Sequence, residues 1–388
     1  MIAVLTLGLW LYLVLARGGF WLGRERDQGR PTAPSAWPAV AVVVPARNEA
    51  ECIGQSIPSL LAQDYRGPLW VILVDDNSDD ATAVVARGAA ARVGAADRLT
   101  VLSGRPLLAG WTGKLWALAQ GIEHATHAAP ETAPAYLWLT DADIVHAPDT
   151  ISWLVAQAES GKLVLTSLMA KLRCDSPAER ALVPAFIFFF EMLYPFAWVN
   201  RPQSPTAAAA GGCVLLRADA LSKAGGIAAI RSAVIDDCAL AALMKRHGPI
   251  WLGLTERASS IRAYPDWGDI RRMVARSAYA QLKYSPLLLV GTVAGLALTY
   301  LAPPLLALFA GGWIQMAGIL AWLLMALAFQ PTLRFYRVSP LWGFALPGIA
   351  AVYLLFTLDS AFQHARGRGA SWKGRFQATP VNKAANEQ

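Results

Sequence analysis

The stretch "YLWLTDADIV" (residues 136–145) ends an apolar, strand-like run with two carboxylates, Asp141 and Asp143. Successive side chains of a strand point to opposite faces, so two residues that are two positions apart are expected to converge on one side. Two like charges held that close need a cation, and donors that are all oxygens favour Mg²⁺ or Mn²⁺, bound together with substrate phosphates. The alternative, which the residues leave open, is that these aspartates only cap a turn or a helix.

Short apolar runs alternate with helix-length segments on both sides of this stretch. The predicted strands are "VAVVV" (40–44), "LWVILV" (69–74), "LTVLSG" (99–104) and "AYLWLT" (135–140). This alternation predicts an α/β fold, Rossmann-like, with a mostly parallel sheet. In such sheets ligands bind outside the carboxyl ends of the strands. Three of the strands end in polar clusters, which are "PARNE" (45–49), "DDNSDD" (75–80) and "DAD" (141–143).

Two further groups of side chains suit a nucleotide. Asp75 and Asp76 follow the second strand, where a carboxylate can accept hydrogen bonds from a base or a ribose hydroxyl, although one of them could instead cap the next helix. In "GWTGKLWALAQG" (110–121), Lys114 stands at a predicted helix start, from which its ammonium can reach a diphosphate. The spacing is not that of a P-loop.

The hydropathy of the chain indicates membrane segments. Of its 388 residues 55% are hydrophobic, the mean hydropathy is +0.38, and no charged residue lies between Lys283 and Arg334. That run is about twice the ~20 residues that one span needs, so it predicts two spans, and a third candidate lies between Arg337 and Asp359. The apolar residues before Arg17 predict an uncleaved N-terminal anchor, because no basic residue precedes them and no clear cleavage site follows.

Charge gives an expected orientation in the bacterial inner membrane. Arginines after the N-terminal run predict that residues from about 37 to 280 face the cytoplasm, because positive residues stay inside. Three later spans would leave the basic tail "HARGRGASWKGRFQ" outside, so either the last apolar stretch, broken by Pro347 and Gly348, is re-entrant, or the rule fails. The segment "VPAFIFFFEMLYPFAWV" (183–199) predicts an interfacial helix, with a buried core helix as the alternative. The net charge of +7 suits anionic lipid headgroups better than nucleic acid.

The ordered motifs of the chain resemble those of family 2 glycosyltransferases, which have the GT-A fold. The motifs are "VVVPARNE", "VDDNSDDAT", "GWTGKLWAL", "TDADI", "AGGCVLLRADAL" and "VIDDCAL", and the resemblance covers roughly residues 38 to 290. Within that family the layout of the whole chain, with "GWTGK", "IDDCAL" and "QLKYSP", is most similar to the hopene-associated glycosyltransferases of hopanoid biosynthesis. The order and spacing of the set are more specific than any single motif.

The resemblance implies a role for each matching residue on the donor side. Asp75 and Asp76 match the pair that holds the uracil and ribose of a UDP-sugar, and Lys114 matches a position near the diphosphate. Asp141 and Asp143 match the metal-binding DxD motif, with Asp143 as the more direct ligand of the cation. The same nucleotide pocket is lined by Pro45, Arg47 and Glu49.

On the acceptor side the resemblance implies a general base. Asp237 matches the acid that takes a proton from the acceptor hydroxyl, and Asp236 stands where Glu or another acid is usual; both could instead cap a helix. Gln281, Lys283 and Tyr284 stand where processive members carry a Gln/Arg-rich motif ending in Arg-Trp. Lys283 lacks the guanidinium fork, so single transfer to a lipid is favoured over polymer synthesis. The alternative for these three residues is an interfacial anchor.

These observations predict a membrane-bound, inverting, metal-dependent glycosyltransferase that uses a UDP-sugar, acts on a hopanoid-like lipid and binds no nucleic acid. The alternatives are transfer to a polyprenyl phosphate or another membrane lipid, a membrane transport component, and a catalytically silent nucleotide-binding protein. The predicted divisions are an anchor (1–22), a linker (23–37), a GT-A domain (38–284) with the interfacial helix near 183–199, transmembrane helices (285–362) and a basic tail (363–388).

Overall fold

The computed structural model describes residues 1–127 and 133–366, together with the backbone of two short strands at 371–372 and 375–376. The chain forms two compact units. The first, here called the helical unit, consists of Met1–Arg24, Arg173–Trp198 and Ala263–Ala370. The second, here called the sheet unit, consists of Glu25–Leu172, Val199–Arg262 and Ser371–Gln388. Of the predicted basic tail, most residues lie outside the described part of the chain.

The sheet unit is built on one eight-stranded sheet. In chain order its strands are β1 (Val40–Ala46), β2 (Leu69–Asp75), β3 (Leu99–Ser103), β4 (Tyr136–Leu139), β5 (Ile144–His146), β6 (Leu165–Lys171), β7 (Val214–Arg217) and β8 (Ile250–Ser260). Their order across the sheet is β3-β2-β1-β4-β7-β6-β8-β5. Two strands, β9 (Ser371–Trp372) and β10 (Arg375–Phe376), form a separate antiparallel pair.

The helices are numbered through the whole chain. They are α1 (Ile2–Leu15), α2 (Ala50–Leu61), α3 (Thr82–Arg92), α4 (Gly113–His127), α5 (Thr150–Gly161), α6 (Pro177–Leu193), α7 (Phe196–Val199), α8 (Ala218–Lys223), α9 (Asp236–Lys245), α10 (Trp267–Ala275), α11 (Ala278–Gln281), α12 (Pro286–Leu296), α13 (Ala302–Phe309), α14 (Gly312–Tyr336) and α15 (Trp342–Ala365).

The four strands that the sequence predicts are present as β1 to β4, and they pair in parallel. Every residue of β1 is buried, which explains its nearly continuous run of valines. The sheet as a whole is mixed, because β7 pairs in antiparallel with β4 and β6, and β5 pairs in antiparallel with β8. The predicted α/β fold is confirmed, and the finer prediction of a mostly parallel sheet missed these two reversed strands.

This topology brings several chain segments to one edge of the sheet. The strands β1, β2, β4, β6 and β8 all run in one direction, so their carboxyl ends share that edge. The reversed strands β5 and β7 begin at the same edge. Residues that follow the first group and residues that precede the second group are therefore neighbours in space, which is where a ligand site is expected.

The segment predicted as a linker is tied to the sheet at residues 25–27. The N–H of Leu254 donates to the carbonyl of Glu25 (2.9 Å), and the N–H of Asp27 donates to the carbonyl of Leu254 (3.1 Å). Asp27 is buried, and its carboxylate lies 2.8 Å from Arg257 Nη1. This part of the chain thus extends the sheet beside β8.

Four helical segments are long and apolar enough to cross a membrane by length and composition. They are Pro177–Val199, Pro286–Phe309, Gly312–Tyr336 and Trp342–Ala365. The N-terminal helix α1 has 14 residues, which is short of the roughly 20 that a span needs. The predicted N-terminal span therefore stays a prediction.

The first of these four segments begins and ends in the same sheet. The chain leaves β6 at Lys171 and returns in β7 at Val214, and these two strands are antiparallel neighbours. A single crossing between them would put the two strands on opposite sides of the membrane. Pro177–Val199 therefore does not cross, which leaves open the two predicted alternatives of an interfacial helix and a buried helix.

Candidate active site

One lysine gathers three of the sequence-predicted acids at the shared edge of the sheet. Lys114 lies in the first turn of α4, and its Nζ lies 2.9 Å from Asp141 Oδ1 and 3.1 Å from Asp236 Oδ2. Asp237 is next to Asp236 in the first turn of α9, where the helix dipole favours negative charge. Burial lowers the pKa of the Lys114 ammonium, but the carboxylates of Asp141 and Asp236 outweigh it and raise that pKa. The lysine therefore carries a full charge between the acids.

The carboxylate of Asp237 is held in place by two backbone N–H groups. Gly211 N–H donates to Oδ2 (3.1 Å), and Cys238 N–H donates to Oδ1 (2.7 Å). Burial, with the neighbouring charge of Asp236, raises the pKa of Asp237 to about 6. An acid with a pKa near the working pH of a cell is suited to accept a proton from a substrate.

These side chains line a cavity in the sheet unit. Its polar wall consists of Lys114, Asp141, Asp236 and Asp237, and the backbone of Gly211 lies beside them. The rest of the wall is formed by Pro45, Leu115, Leu118, Leu139, Thr140, Val214, Ile227, Ile230 and Leu240. Pro45, for which the family resemblance implies a place in the nucleotide pocket, thus lies on the same cavity as the predicted base.

A second cation lies beside the other half of the DxD pair. Arg262 follows the carboxyl end of β8, and its Nε lies 3.0 Å from Asp143 Oδ2 while its Nη2 lies 2.5 Å from Glu49 Oε2. Ser260 Oγ donates to the same oxygen of Asp143 (3.1 Å). Glu49 is buried, so Arg262 supplies the charge that its carboxylate needs.

The two aspartates of the DxD pair do not lie on one strand face as the sequence predicts. β4 ends at Leu139 and β5 begins at Ile144, so Asp141 and Asp143 belong to the turn between them. Asp141 pairs with Lys114 and Asp143 with Arg262. A turn frees the two side chains from the alternation of a strand, and each takes its own counter-ion.

The loops after β1 and β2 are joined by hydrogen bonds. Arg47 Nη1 donates to the carbonyls of Asp76 (2.5 Å) and Asn77 (2.8 Å), and Asn48 Oδ1 accepts from Asp79 N–H (2.8 Å). Arg47 thus braces the second loop. Asn48 and Asn77 have φ of 52° and 53°, in the left-handed region that Asn tolerates better than most residues.

Asp75 and Asp76 have different surroundings. Asp75 ends β2, and its Oδ1 accepts from Ser78 N–H (3.0 Å) and Ser78 Oγ (2.5 Å), so it caps the turn after β2 and not, as one alternative predicts, the next helix, α3. Asp76 is fully buried, and its N–H donates to the carbonyl of Ala46 (2.8 Å). Of the pair, Asp75 is the more exposed carboxylate.

The donor set suits a divalent cation that is bound with a phosphate. Within residues 1–127 and 133–366, no group of three or more His, Cys, Asp or Glu side chains is arranged to hold a metal ion. Mg²⁺ and Mn²⁺ are, however, usually held by one or two carboxylates plus substrate phosphates. In the part of the chain that the structure describes, the side-chain donors to Asp143, Ser260 and Arg262, both contact Oδ2 and not Oδ1. The turn between β4 and β5 supplies two carboxylates of the kind such an ion takes, and in this structure they are paired with Lys114 and Arg262.

Gln281, Lys283 and Tyr284 belong to the helical unit. Gln281 Nε2 donates to the hydroxyl of Tyr194 (2.5 Å), and Lys283 and Tyr284 are exposed with φ of 51° and 56°. The Tyr284 ring stacks on His364, with ring centroids 4.3 Å apart.

Sequence reasoning missed Arg262, Ser260 and Gly211. Each is at the shared edge for a topological reason, since Ser260 and Arg262 are at or after the end of β8 and Gly211 precedes β7. β7 and β8 are not among the strands that the sequence predicts, so the rule that ligands bind at strand ends does not point to these residues.

Comparison with known proteins gives one family. The family model described as Glycosyltransferase like family 2 matches residues 38–251, more than half of the chain. A 4,4'-diaponeurosporenoate glycosyltransferase of Staphylococcus aureus is 38% identical over 111 residues, which are 29% of this chain. The match spans 27% of that relative's length, about a quarter.

Among solved structures, a mannosyltransferase from Pyrobaculum calidifontis in complex with GDP-Man and Mn²⁺ has a similar fold. The TM-score is 0.53, the identity is 19%, and the match covers 94% of this chain and 99% of that chain. At this identity the likeness concerns the fold alone. It supports the expected GT-A type of mixed α/β architecture.

Proposed function

Because the chain belongs to the Glycosyltransferase like family 2, we propose that it transfers a sugar from a UDP-sugar to a lipid acceptor. The reaction inverts the anomeric carbon and takes place at the cytoplasmic face of the bacterial inner membrane. The acceptor is a hopanoid-like lipid, as the motif resemblance implies, and transfer to a polyprenyl phosphate or another membrane lipid is the second candidate.

One observation carries this proposal. Lys114 lies within 3.1 Å of both Asp141, from the turn after β4, and Asp236, from the start of α9, and Asp237 lines the same cavity. Residues implied in donor binding and residues implied in acceptor activation therefore share one site. A transport component needs no such arrangement, and the candidate spans carry few ionisable residues of the kind that line a substrate path.

The residues of the chain have distinct parts in the proposed reaction. Asp237 accepts the proton of the acceptor hydroxyl as that oxygen bonds to the anomeric carbon, and the bond from that carbon to the diphosphate breaks. Attack on the side opposite the diphosphate inverts the configuration. Lys114 offers its ammonium to the departing diphosphate, and Asp236 holds Lys114 in place.

The donor pocket is formed by the loops after β1 and β2. Asp75 reaches the uracil or ribose, whereas the fully buried Asp76 supports the loop from beneath. Pro45 and Glu49 line the pocket, and Arg47 holds the second loop through its carbonyls. Asp141 and Asp143 would hold a Mg²⁺ or Mn²⁺ ion, which when bound stabilises negative charge on the leaving diphosphate.

Nucleotide release tests the proposal. The full chain, purified in detergent with lipid extract, is given UDP-sugars or GDP-sugars with Mn²⁺ or with EDTA. We expect UDP to be released with Mn²⁺ and lipid together, and little without either. Release from GDP-sugars alone would contradict the proposed nucleotide, and no release from any donor would contradict the enzyme itself.

Lipid analysis tests the acceptor. A strain that lacks the chain is compared with the same strain carrying the parent chain or Asp237→Asn. We expect a glycosylated hopanoid-like lipid only with the parent chain. A product on a polyprenyl phosphate instead would support the second candidate.

A further inference from the structure

The two ends of the apolar segment 286–365 lie side by side in the helical unit. The Tyr284 ring, two residues before α12, stacks on the His364 ring at the end of α15, with centroids 4.3 Å apart. Tyr279 N–H donates to Ser360 Oγ (3.1 Å), and Arg271 Nη1 lies 3.2 Å from Asp359 Oδ2. Stacking, a hydrogen bond and an ion pair thus join α10 and α11 to the last turns of α15.

Three straight spans of alternating direction cannot bring these ends together. The segments 286–309, 312–336 and 342–365 have 24, 25 and 24 residues. Each is about 36 Å long at 1.5 Å per residue, enough for a hydrocarbon core of roughly 30 Å. An odd number of crossings would place Tyr284 and His364 on opposite faces of the bilayer. Because the two rings are stacked, the number of crossings between them is even.

The segment 286–309 has the features of the one that does not cross. A π-helix at Ala297–Leu301 interrupts it, and Pro303 and Pro304 follow, which are two known causes of a kink. No residue of α12 is buried, and in the most apolar stretch of the segment 22% of the residues are buried, against 39% in each of the other two. By contrast, α14 and α15 are continuous helices, although each contains one internal proline.

Three cations lie within two positions of residues that join the two ends. Arg276, Lys283 and Arg366 are exposed, and none of them forms an ion pair within residues 1–127 and 133–366. Arg276 is next to Ala275, whose carbonyl accepts from Ser360 Oγ (2.5 Å), and Lys283 adjoins the stacked Tyr284. Arginine, lysine and tyrosine side chains close together are typical of the layer where a membrane meets water.

We propose that residues 286–309 enter and leave the bilayer at one face, and that Arg276, Lys283 and Arg366 contact anionic phospholipid headgroups there. α14 and α15 are then the crossing helices. This inference rests on the membrane location in the proposed function and adds the topology and the lipid partner.

The proposal also fixes the side on which the tail begins. Between Arg262 of the sheet unit and Lys283 the chain forms only α10 and α11, of 9 and 4 residues, which are too short to cross. Lys283 is therefore on the same side of the membrane as Arg262, and the stacking of Tyr284 on His364 puts Arg366 on that side too. The basic tail that follows obeys the positive-inside rule without an exception.

Cysteine labelling of the full chain tests the topology. Four variants are compared in right-side-out and inside-out vesicles with a membrane-impermeant maleimide, and peptide mass spectrometry separates each site from the native cysteines. The variants are Val84→Cys as the reference for the sheet unit, Gly311→Cys, Leu341→Cys and a cysteine added after Gln388. Val84 and Leu341 are 70% and 72% exposed, and a side chain at Gly311 meets nothing within 4 Å.

The outcomes separate the two proposals. We expect position 311 and the added cysteine to be labelled from the same side as position 84, and position 341 from the opposite side. If 341 shares the side of 84 while 311 and the tail are opposite, three spans are present and the inference is wrong. If all four share one side, α14 and α15 do not cross, and the inference is wrong as well. Nucleotide release is unaffected by either result and still tests the sugar transfer.

Unfolding temperature in lipid nanodiscs tests the headgroup contact. We expect the parent chain to unfold about 2 °C or more higher in phosphatidylglycerol than in phosphatidylcholine. The triple variant Arg276→Gln, Lys283→Gln, Arg366→Gln is expected to lose that difference. A control triple of exposed cations in the sheet unit, Arg87→Gln, Arg92→Gln, Lys162→Gln, is expected to keep it. An equal unfolding temperature of the parent chain in both lipids would overturn the contact.

Discussion

At the scale of single residues, two cations organise the acidic site. Lys114 bridges the donor and acceptor acids, and Arg262 bridges Glu49 and Asp143. Acids packed this close repel one another unless positive charges lie between them. The chain therefore carries its own counter-ions at the place where a charged substrate is proposed to bind.

Arg262→Gln tests the second of these counter-ions. The substitution leaves the carboxylates of Glu49 and Asp143 without their charge partner in a largely buried site, so we expect a loss of about 1–3 kcal/mol in the free energy of unfolding. Urea titration of the full chain in detergent measures it. The control is Arg217→Gln, which breaks a two-pronged pair with Asp219 whose side chains are 45% and 46% exposed. That loss is expected to stay below about 1 kcal/mol, and equal losses would contradict the argument.

The raised pKa of Asp237 predicts the pH dependence of the rate. A base must be ionised to accept a proton, so kcat/KM is expected to fall as the pH drops through about 6 and to be level above it. An ordinary aspartate would lose activity only near pH 4. A rate profile from pH 4.5 to 8 measures this. A rate that stays level down to pH 5 would show that Asp237 is not the base or that its pKa is not raised.

At the scale of elements, α4 fixes the position of Lys114. Gly121 faces the sheet, and a methyl group there would collide with the Val43 side chain and lie 3.1 Å from Val74 Cγ2. Gly121→Ala is therefore expected to push α4 away from the sheet and to lower the free energy of unfolding by about 1–3 kcal/mol. Because this shift moves Lys114, we also expect weaker donor binding. Urea titration and a donor-binding isotherm measure the two effects.

Gly88→Ala in α3 is the matched control for this substitution. A methyl group there comes no closer than 3.9 Å to its nearest neighbour, Arg92 Nη1. Because glycine weakens the interior of a helix, we expect the free energy of unfolding of this variant to rise by about 0.5–1 kcal/mol. We expect it to bind the donor as the parent does. If both alanines had the same effect, close approach of α4 to the sheet would not explain the result at Gly121.

The elements also show what a sequence pattern can predict. β1, β2, β3 and β4 are short apolar runs between polar turns, and the pattern predicts them close to their observed bounds. β7 and β8 pair with strands far away in the chain, and no local pattern specifies that pairing. Residues that reach the site from those strands, Arg262 above all, were therefore missed.

At the scale of the whole molecule, hydropathy predicts which segments are apolar and leaves open which of them cross. Residues 183–199 are as apolar as a span, yet β6 and β7 on either side belong to one sheet. Tyr284 and His364 are 80 positions apart, and only their stacking indicates an even number of crossings. Topology here is decided by contacts between distant residues, which composition does not contain.

The central claim is that Asp237 takes the proton of the acceptor in a site that binds a nucleotide-sugar. Asp237→Asn, measured beside the parent chain for both donor binding and sugar transfer, tests it most directly. The account predicts donor affinity within about twofold of the parent and a loss of about 10²–10⁴ in turnover, because the amide cannot accept the proton. Transfer by the Asn variant at the parent rate would contradict the claim.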